Sequence, residues 1–242
     1  MSQATTAAPL TVVLVHGAFA DSSSWTGVIE RLQANGVEVV AAANPLRGIS
    51  IDSAYVASVF DQVSGPVLAV GHSYGGAVIS NAATGASNVV GLVYVAAFAP
   101  DEGEKLGEVE GGSKDSVLTS ALVPHQYPTG SGTATEFSID PPKTRDAFAG
   151  DLSQAQAALI ATIQRPVSEF AFSEPSGMPA WKTLPSWAVV ATGDRAAGTD
   201  VVRAHAERAG ATITEVEGSH VIMISQPEAV AEVIEAAIAK VG

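Results

Sequence analysis

The pentapeptide Gly71-His72-Ser73-Tyr74-Gly75 follows the apolar run Pro66-Val67-Leu68-Ala69-Val70 and precedes Gly76-Ala77-Val78-Ile79-Ser80. A serine between a short β-branched run and a small-residue helix pattern sits on a strand-to-helix turn. The spacing G-x-S-x-G marks a serine nucleophile carried on such a turn. The reversal is sharp enough to force Ser73 into a strained backbone conformation, where Cβ atoms at neighbouring positions would collide with the strand or the helix. Small residues at 71, 75, 76 and 77 relieve that crowding.

The flanking sequence gives the turn a sheet to stand on. A β-branched run over Thr11–Val15 is followed by a helix pattern near Ser24 to Ala34, and strands recur near 37–41, 66–70 and 89–95. Between the second and third strands, Asp52 reads as the N-cap of a helix whose Tyr55, Val56, Val59, Phe60 and Val63 share the sheet-facing side. The alternation resumes with a strand at Trp187–Thr192, a helix at Thr199–Ala209, a strand at Ala211–Val216 and a helix opening at Pro227. In that last helix Val230, Val233, Ile234, Ala237 and Ile238 keep the helical repeat, and proline suits its first turn. Repeated strand–helix units predict an α/β architecture: a mostly parallel sheet of about six strands with helices on both faces.

Residues 99–185 break this rhythm. They are rich in Gly, Ser, Thr and Pro at first, then carry a helical pattern through Phe148, Leu152, Leu159, Ile160 and Ile163. An excursion of this length inside a compact fold is usually a lid or binding insertion. The expected division is a core of 1–98 and 186–242 with an inserted cap of 99–185.

Composition narrows the function. The 242 residues are 47% hydrophobic and 15% charged, as expected of a globular chain. Twelve basic against 25 acidic side chains give a net charge of −13, which opposes a nucleic-acid partner. The absence of cysteine excludes disulfides, thiol catalysis and thiolate metal sites. The N-terminus Met1 to Pro9 lacks a basic region followed by an apolar stretch, and no run approaches the ~20 apolar residues of a membrane span. The expectation is a soluble, cytoplasmic protein that acts without a membrane.

A serine hydroxyl is protonated at neutral pH, so it needs a base within hydrogen-bond reach and a group to orient that base. Asp194 follows the strand ending Ala191-Thr192-Gly193, and His220 follows the next strand through Glu217-Gly218-Ser219. In a parallel sheet these loops emerge at the carboxyl edge, where the turn bearing Ser73 also emerges. Ser73, Asp194 and His220 are therefore the expected catalytic residues. Charge developing on a carbonyl oxygen needs preorganised N–H donors. Those expected are the backbone N–H groups of Tyr74 and of Ala18, the latter in the loop His16-Gly17-Ala18-Phe19 after the first strand. Phe19, Phe98, Trp181 and Val221 are the expected substrate-pocket residues. His16 and His72 read as structural hydrogen-bonding residues, and His125 and His205 have no partner pattern. No metal-ligand spacing, dinucleotide fingerprint or phosphate loop is present, so the expected chemistry uses no cofactor and no metal.

Val13-Leu14-Val15-His16-Gly17-Ala18-Phe19, Val70-Gly71-His72-Ser73-Tyr74-Gly75-Gly76, Ala96-Ala97-Phe98-Ala99-Pro100-Asp101 and Gly218-Ser219-His220 together resemble the α/β-hydrolase superfamily. The nearest likeness is to the plant methylesterase and hydroxynitrile lyase branch and its bacterial esterase relatives, covering roughly 10–100 and 185–240. The resemblance implies an α/β-hydrolase fold and a serine hydrolase whose partner is a small or medium ester. The lyases of this branch carry lysine after the histidine and threonine in the first loop, where this chain has Val221 and Ala18. A haloalkane dehalogenase would carry aspartate in place of Ser73. Perhydrolysis, C–C bond hydrolysis and slow-turnover small-molecule reception use the same triad and are the alternatives.

Overall fold

In the computed structural model, which describes residues 8–242, the strand–helix alternation becomes a six-stranded sheet in the order β2-β1-β3-β4-β8-β9, every neighbouring pair parallel. Met1–Ala7, read above for targeting signals, lies outside the described residues. Along the chain the first half holds β1 (Thr11–Val15), α1 (Thr26–Ala34), β2 (Glu38–Ala42), α2 (Ile49–Asp61), β3 (Val67–His72), α3 (Tyr74–Ala82) and β4 (Val89–Val95). An excursion follows, with α4 (Leu106–Gly111), β5 (Leu122–Thr129), β6 (Gly132–Ile139), α5 (Thr144–Ala147), α6 (Gln154–Ile163), β7 (Val167–Ser168) and α7 (Phe170–Ser173). The chain re-enters the sheet through β8 (Ser186–Ala191), α8 (Thr199–Arg208) and β9 (Thr212–Val216), and closes with α9 (Ile222–Ser225) and α10 (Pro227–Val241).

The central strands β3 and β8 are buried along their whole length, whereas the edge strands β2 and β9 mix exposed and half-buried positions. That contrast explains their sequences, since a strand covered on both faces needs an unbroken apolar run. From β1 the chain steps outward to β2 and then crosses back past β1 to β3. Right-handed crossovers in opposite directions place α1 and α2 on opposite faces. α10 packs on α1, and α3 packs on α2. The reversal of strand order lies between β1 and β3, so the loops after these two strands face one crevice at the carboxyl edge.

Several local expectations are corrected. Asp52 is not a helix N-cap: α2 begins at Ile49 after Gly48, whose φ of +138° suits glycine, and Asp52 is buried in the helix. Its carboxylate accepts the N–H of Arg47 at 3.0 Å and the Tyr74 hydroxyl at 2.7 Å. Val56 and Phe60 are buried as expected, but Tyr55 is exposed.

The Pro- and Gly-rich part of the excursion is not irregular. β5 and β6 pair antiparallel in full register, Leu122 opposite Ile139 and Thr129 opposite Gly132, through the connection Gly130-Ser131. β7 extends them into a second, three-stranded sheet. Pro124 and Pro128 are tolerated because β5 is its edge strand, where a missing N–H breaks no ladder. The helical pattern expected from Phe148 onward starts later. Ser153 and Gln156 form a capping box that opens α6 at Gln154, leaving Phe148 and Leu152 in the preceding turn.

Candidate active site

The β1–β3 pairing places Val15 opposite Gly71, so the loops that follow run side by side. Ser73 sits between β3 and α3 with φ 52° and ψ −123°, a conformation held at about 1–3 kcal/mol of strain. The close approach needs residues without Cβ at two places. A Cβ on Gly75 would lie 2.4 Å from the carbonyl oxygen of Val15, and one on Gly17 would lie 2.6 Å from Ser73 Cβ. The loop after β1 is thereby pressed against the serine.

Asp194 and His220 meet in the buried interior. His220 Nδ1 lies 2.7 Å from Asp194 Oδ2. A carboxylate oxygen accepts, so Nδ1 donates in this bond and the other ring nitrogen, Nε2, is turned away from the acid. The other carboxylate oxygen, Oδ1, accepts the N–H groups of Ala196 at 2.9 Å and Ala197 at 3.0 Å, which fixes the plane of the group. The two loops are tied by Gly193 N–H donating to the Gly218 carbonyl at 2.9 Å. His220 is held from two further sides. Its carbonyl accepts His72 Nε2 at 3.0 Å, linking it to the residue before Ser73. Asp151, from the excursion, accepts the N–H of Ser219 at 2.9 Å and the Ser219 hydroxyl.

Ser73 Oγ makes no hydrogen bond among the described residues, so a serine–histidine bond is not formed here. In serine and cysteine enzymes this bond often tightens only with substrate in place. The N–H groups of Ala18 and Tyr74 donate to no acceptor among the described residues. Tyr74 opens α3, where unpaired N–H groups and the helix dipole favour developing negative charge.

A cavity of about 240 Å³ abuts the constellation. Phe19, Phe148, Leu152, Leu159, Ile160 and Val221 form its apolar wall, and Asp21, Ser23, Ser24 and Gln156 supply polar groups. The Phe148 ring stands 5.1 Å from that of His220 and 6.2 Å from that of Phe19, so Phe148 joins the cavity wall to the imidazole. Of the expected pocket residues, Phe19 and Val221 line this cavity. Phe98 and Trp181 do not: Phe98 packs edge-on against His205, and Trp181 donates to the Pro100 carbonyl at 3.1 Å. Phe148 belongs to the aromatic residues of the excursion that the sequence offers to the pocket, whereas nothing in the local pattern ties it to His220 or Asp151 to Ser219.

The remaining histidines have partners. His205 Nδ1 accepts the Ala99 N–H at 2.9 Å, and His125 Nε2 bonds Ser138 Oγ at 2.9 Å. Burial lowers His16 and His205 from the ordinary 6.5 to about 4, and holds His72 well below its ordinary value. An unfolded histidine takes a proton near pH 6.5, while these folded ones refuse it until near 4. Over that window the unfolded state binds more protons, so stability falls as pH falls. His16 and His205 are each expected to remove about 2 kcal/mol between pH 7 and 5. Asp52, raised by burial, acts in the opposite direction. Urea unfolding at the two pH values checks this, and an unchanged free energy contradicts it.

A family model described as the alpha/beta hydrolase family matches residues 12–233. The structure is similar to that of polyneuridine aldehyde esterase, with TM-score 0.81 and 19% identity over 95% of this chain and 100% of that one. It is similar to a pyrethroid hydrolase from Sphingobium faniae, with TM-score 0.76 and 21% identity over 96% and 98%. A methylesterase from Arabidopsis gives TM-score 0.78 and 17% identity over 95% and 99%. No curated protein matches the chain at a significant level.

Proposed function

Because the chain belongs to the alpha/beta hydrolase family, we propose that it is a cofactor-free serine carboxylesterase with Ser73 as nucleophile, His220 as general base and Asp194 as its orienting acid. The single observation that carries this is the 2.7 Å bond between His220 Nδ1 and Asp194 Oδ2, which orients the imidazole of a loop tied through His72 to the strained turn bearing Ser73. In the first step Ser73 Oγ attacks the ester carbonyl as its proton passes to His220 Nε2. The negative charge collects on the carbonyl oxygen, which the Ala18 and Tyr74 N–H groups stabilise, and Asp194 stabilises the imidazolium. His220 then returns the proton to the leaving alcohol, and a water activated by Nε2 releases the acid.

The esterase-named neighbours support an ester substrate. The excursion acts as a cap: α6 supplies Gln156, Leu159, Ile160 and Ile163 to the cavity wall. Its volume suits a small to medium apolar group rather than a large one. Asp21 places a carboxylate at this wall and disfavours anionic substrates. Release of p-nitrophenol from p-nitrophenyl butyrate over many turnovers is the test. One equivalent followed by silence would instead indicate a receptor.

Leu159 is exposed at the rim of the cavity, so Leu159→Trp narrows it without touching Ser73, Asp194 or His220. The expected result is a KM for p-nitrophenyl octanoate raised about tenfold, the equivalent of two excluded methylenes. Acetate ester kinetics should stay within about twofold. Equal effects on both esters would place the apolar subsite elsewhere.

A further inference from the structure

We propose that His16 and Arg165 are positioning residues that orient the peptide unit between Gly17 and Ala18, and with it the Ala18 N–H. The proposal rests on the serine-esterase reading, in which that N–H stabilises the oxyanion. His16 is fully buried at the end of β1, where neither the base–acid pair nor the substrate cavity uses it. Its Nδ1 stands 3.0 Å from the Gly17 carbonyl oxygen. Its Nε2 faces Arg165 Nη1 at 3.5 Å.

These two neighbours impose the same tautomer independently. A carbonyl can only accept, so Nδ1 must hold the proton. A guanidinium can only donate, so Nε2 must be bare. Arg165 is itself anchored by donating to the Asn44 carbonyl at 3.0 Å, and Asn44 Nδ2 donates to the His16 carbonyl at 3.0 Å. Burial, together with the nearby Arg165 charge, holds His16 near 4, so the ring stays neutral at pH 7.

The consequence comes from peptide geometry. The Gly17 carbonyl and the Ala18 N–H belong to one planar trans unit and point in opposite directions. A donor that fixes the carbonyl therefore fixes the N–H. Gly17 is packed against Ser73, so rotation of this unit would turn a carbonyl oxygen toward the position where negative charge develops. His16 locks the unit in the stabilising sense, and Arg165, reaching in from the excursion, locks His16.

The test compares His16→Ala, His16→Asn and Arg165→Met with the wild-type chain, using p-nitrophenyl butyrate turnover per folded molecule and inhibition by a trifluoromethyl ketone. Such a ketone adds the serine to form a tetrahedral oxyanion. Misorienting one donor is expected to lower kcat about 10²-fold with KM within about threefold, and to weaken the ketone in parallel. Asparagine also carries its nitrogen on Cγ, so His16→Asn should regain at least about tenfold over alanine. Arg165→Met should lower kcat about three- to tenfold, again with KM held. Unchanged kcat per folded molecule, or a loss confined to KM with ketone affinity intact, overturns the proposal. Asparagine no better than alanine does so too. If His16→Ala does not fold, the asparagine and Arg165 variants carry the comparison. Failure of the underlying reading shows separately, as a wild-type chain that does not turn over the ester.

Discussion

Ser73→Ala is expected to lower ester turnover by about 10⁶-fold and to abolish labelling by a fluorophosphonate. The structure makes this substitution informative because it removes a single oxygen that bonds to nothing else in the described residues, so stability has little reason to change. The alanine inherits the strained conformation at φ 52°, which the packing of Gly17 and Gly75 around it imposes. What survives should be the contribution of the N–H donors and of binding alone, on the order of 10³ over water. Labelling that persists in the variant, read by mass spectrometry of the intact chain, would move the nucleophile to another residue.

Asp194→Asn should be nearly as severe, at about 10⁴-fold in kcat, with the fold retained. The asparagine oxygen can keep the bonds from Ala196 and Ala197. Its amide nitrogen then faces His220 Nδ1 where a carboxylate oxygen stood. A donor at that position favours the tautomer with Nδ1 bare and Nε2 protonated, so the base loses its lone pair toward Ser73. Circular dichroism and urea unfolding should match the wild type while turnover collapses. Turnover within about tenfold of wild type would remove Asp194 from the orienting role.

The core of this molecule was legible from residue order because its signals are local. A buried parallel strand needs a continuous apolar run, and β4 at Val89–Val95 matches its expected bounds. The same held for the approach of the three loops, since parallel strands place their carboxyl ends at one edge. Asp52 misled because a carboxylate near a helix start reads as a cap. Its actual partners include the hydroxyl of Tyr74, 22 residues away, and no window of sequence contains both. The excursion was harder still: β5 carries two prolines that count against a strand until its edge position is known. Phe98 and Trp181 have the apolar character of a pocket wall but face other partners, and side-chain direction cannot be read from composition. The contacts of Phe148 with His220 and of Asp151 with Ser219 are illegible for the reverse reason, as they join residues about 70 positions apart.

The hold of Asp151 on Ser219 has an evolutionary corollary. The polypeptide between β4 and β8 supplies a tether to the loop bearing His220 as well as the wall of the cavity. A chimaera that imports this region from a relative also replaces that tether, so recombinants are expected to need acid 151 and hydroxyl 219 as a matched pair to keep the imidazole of residue 220 in register.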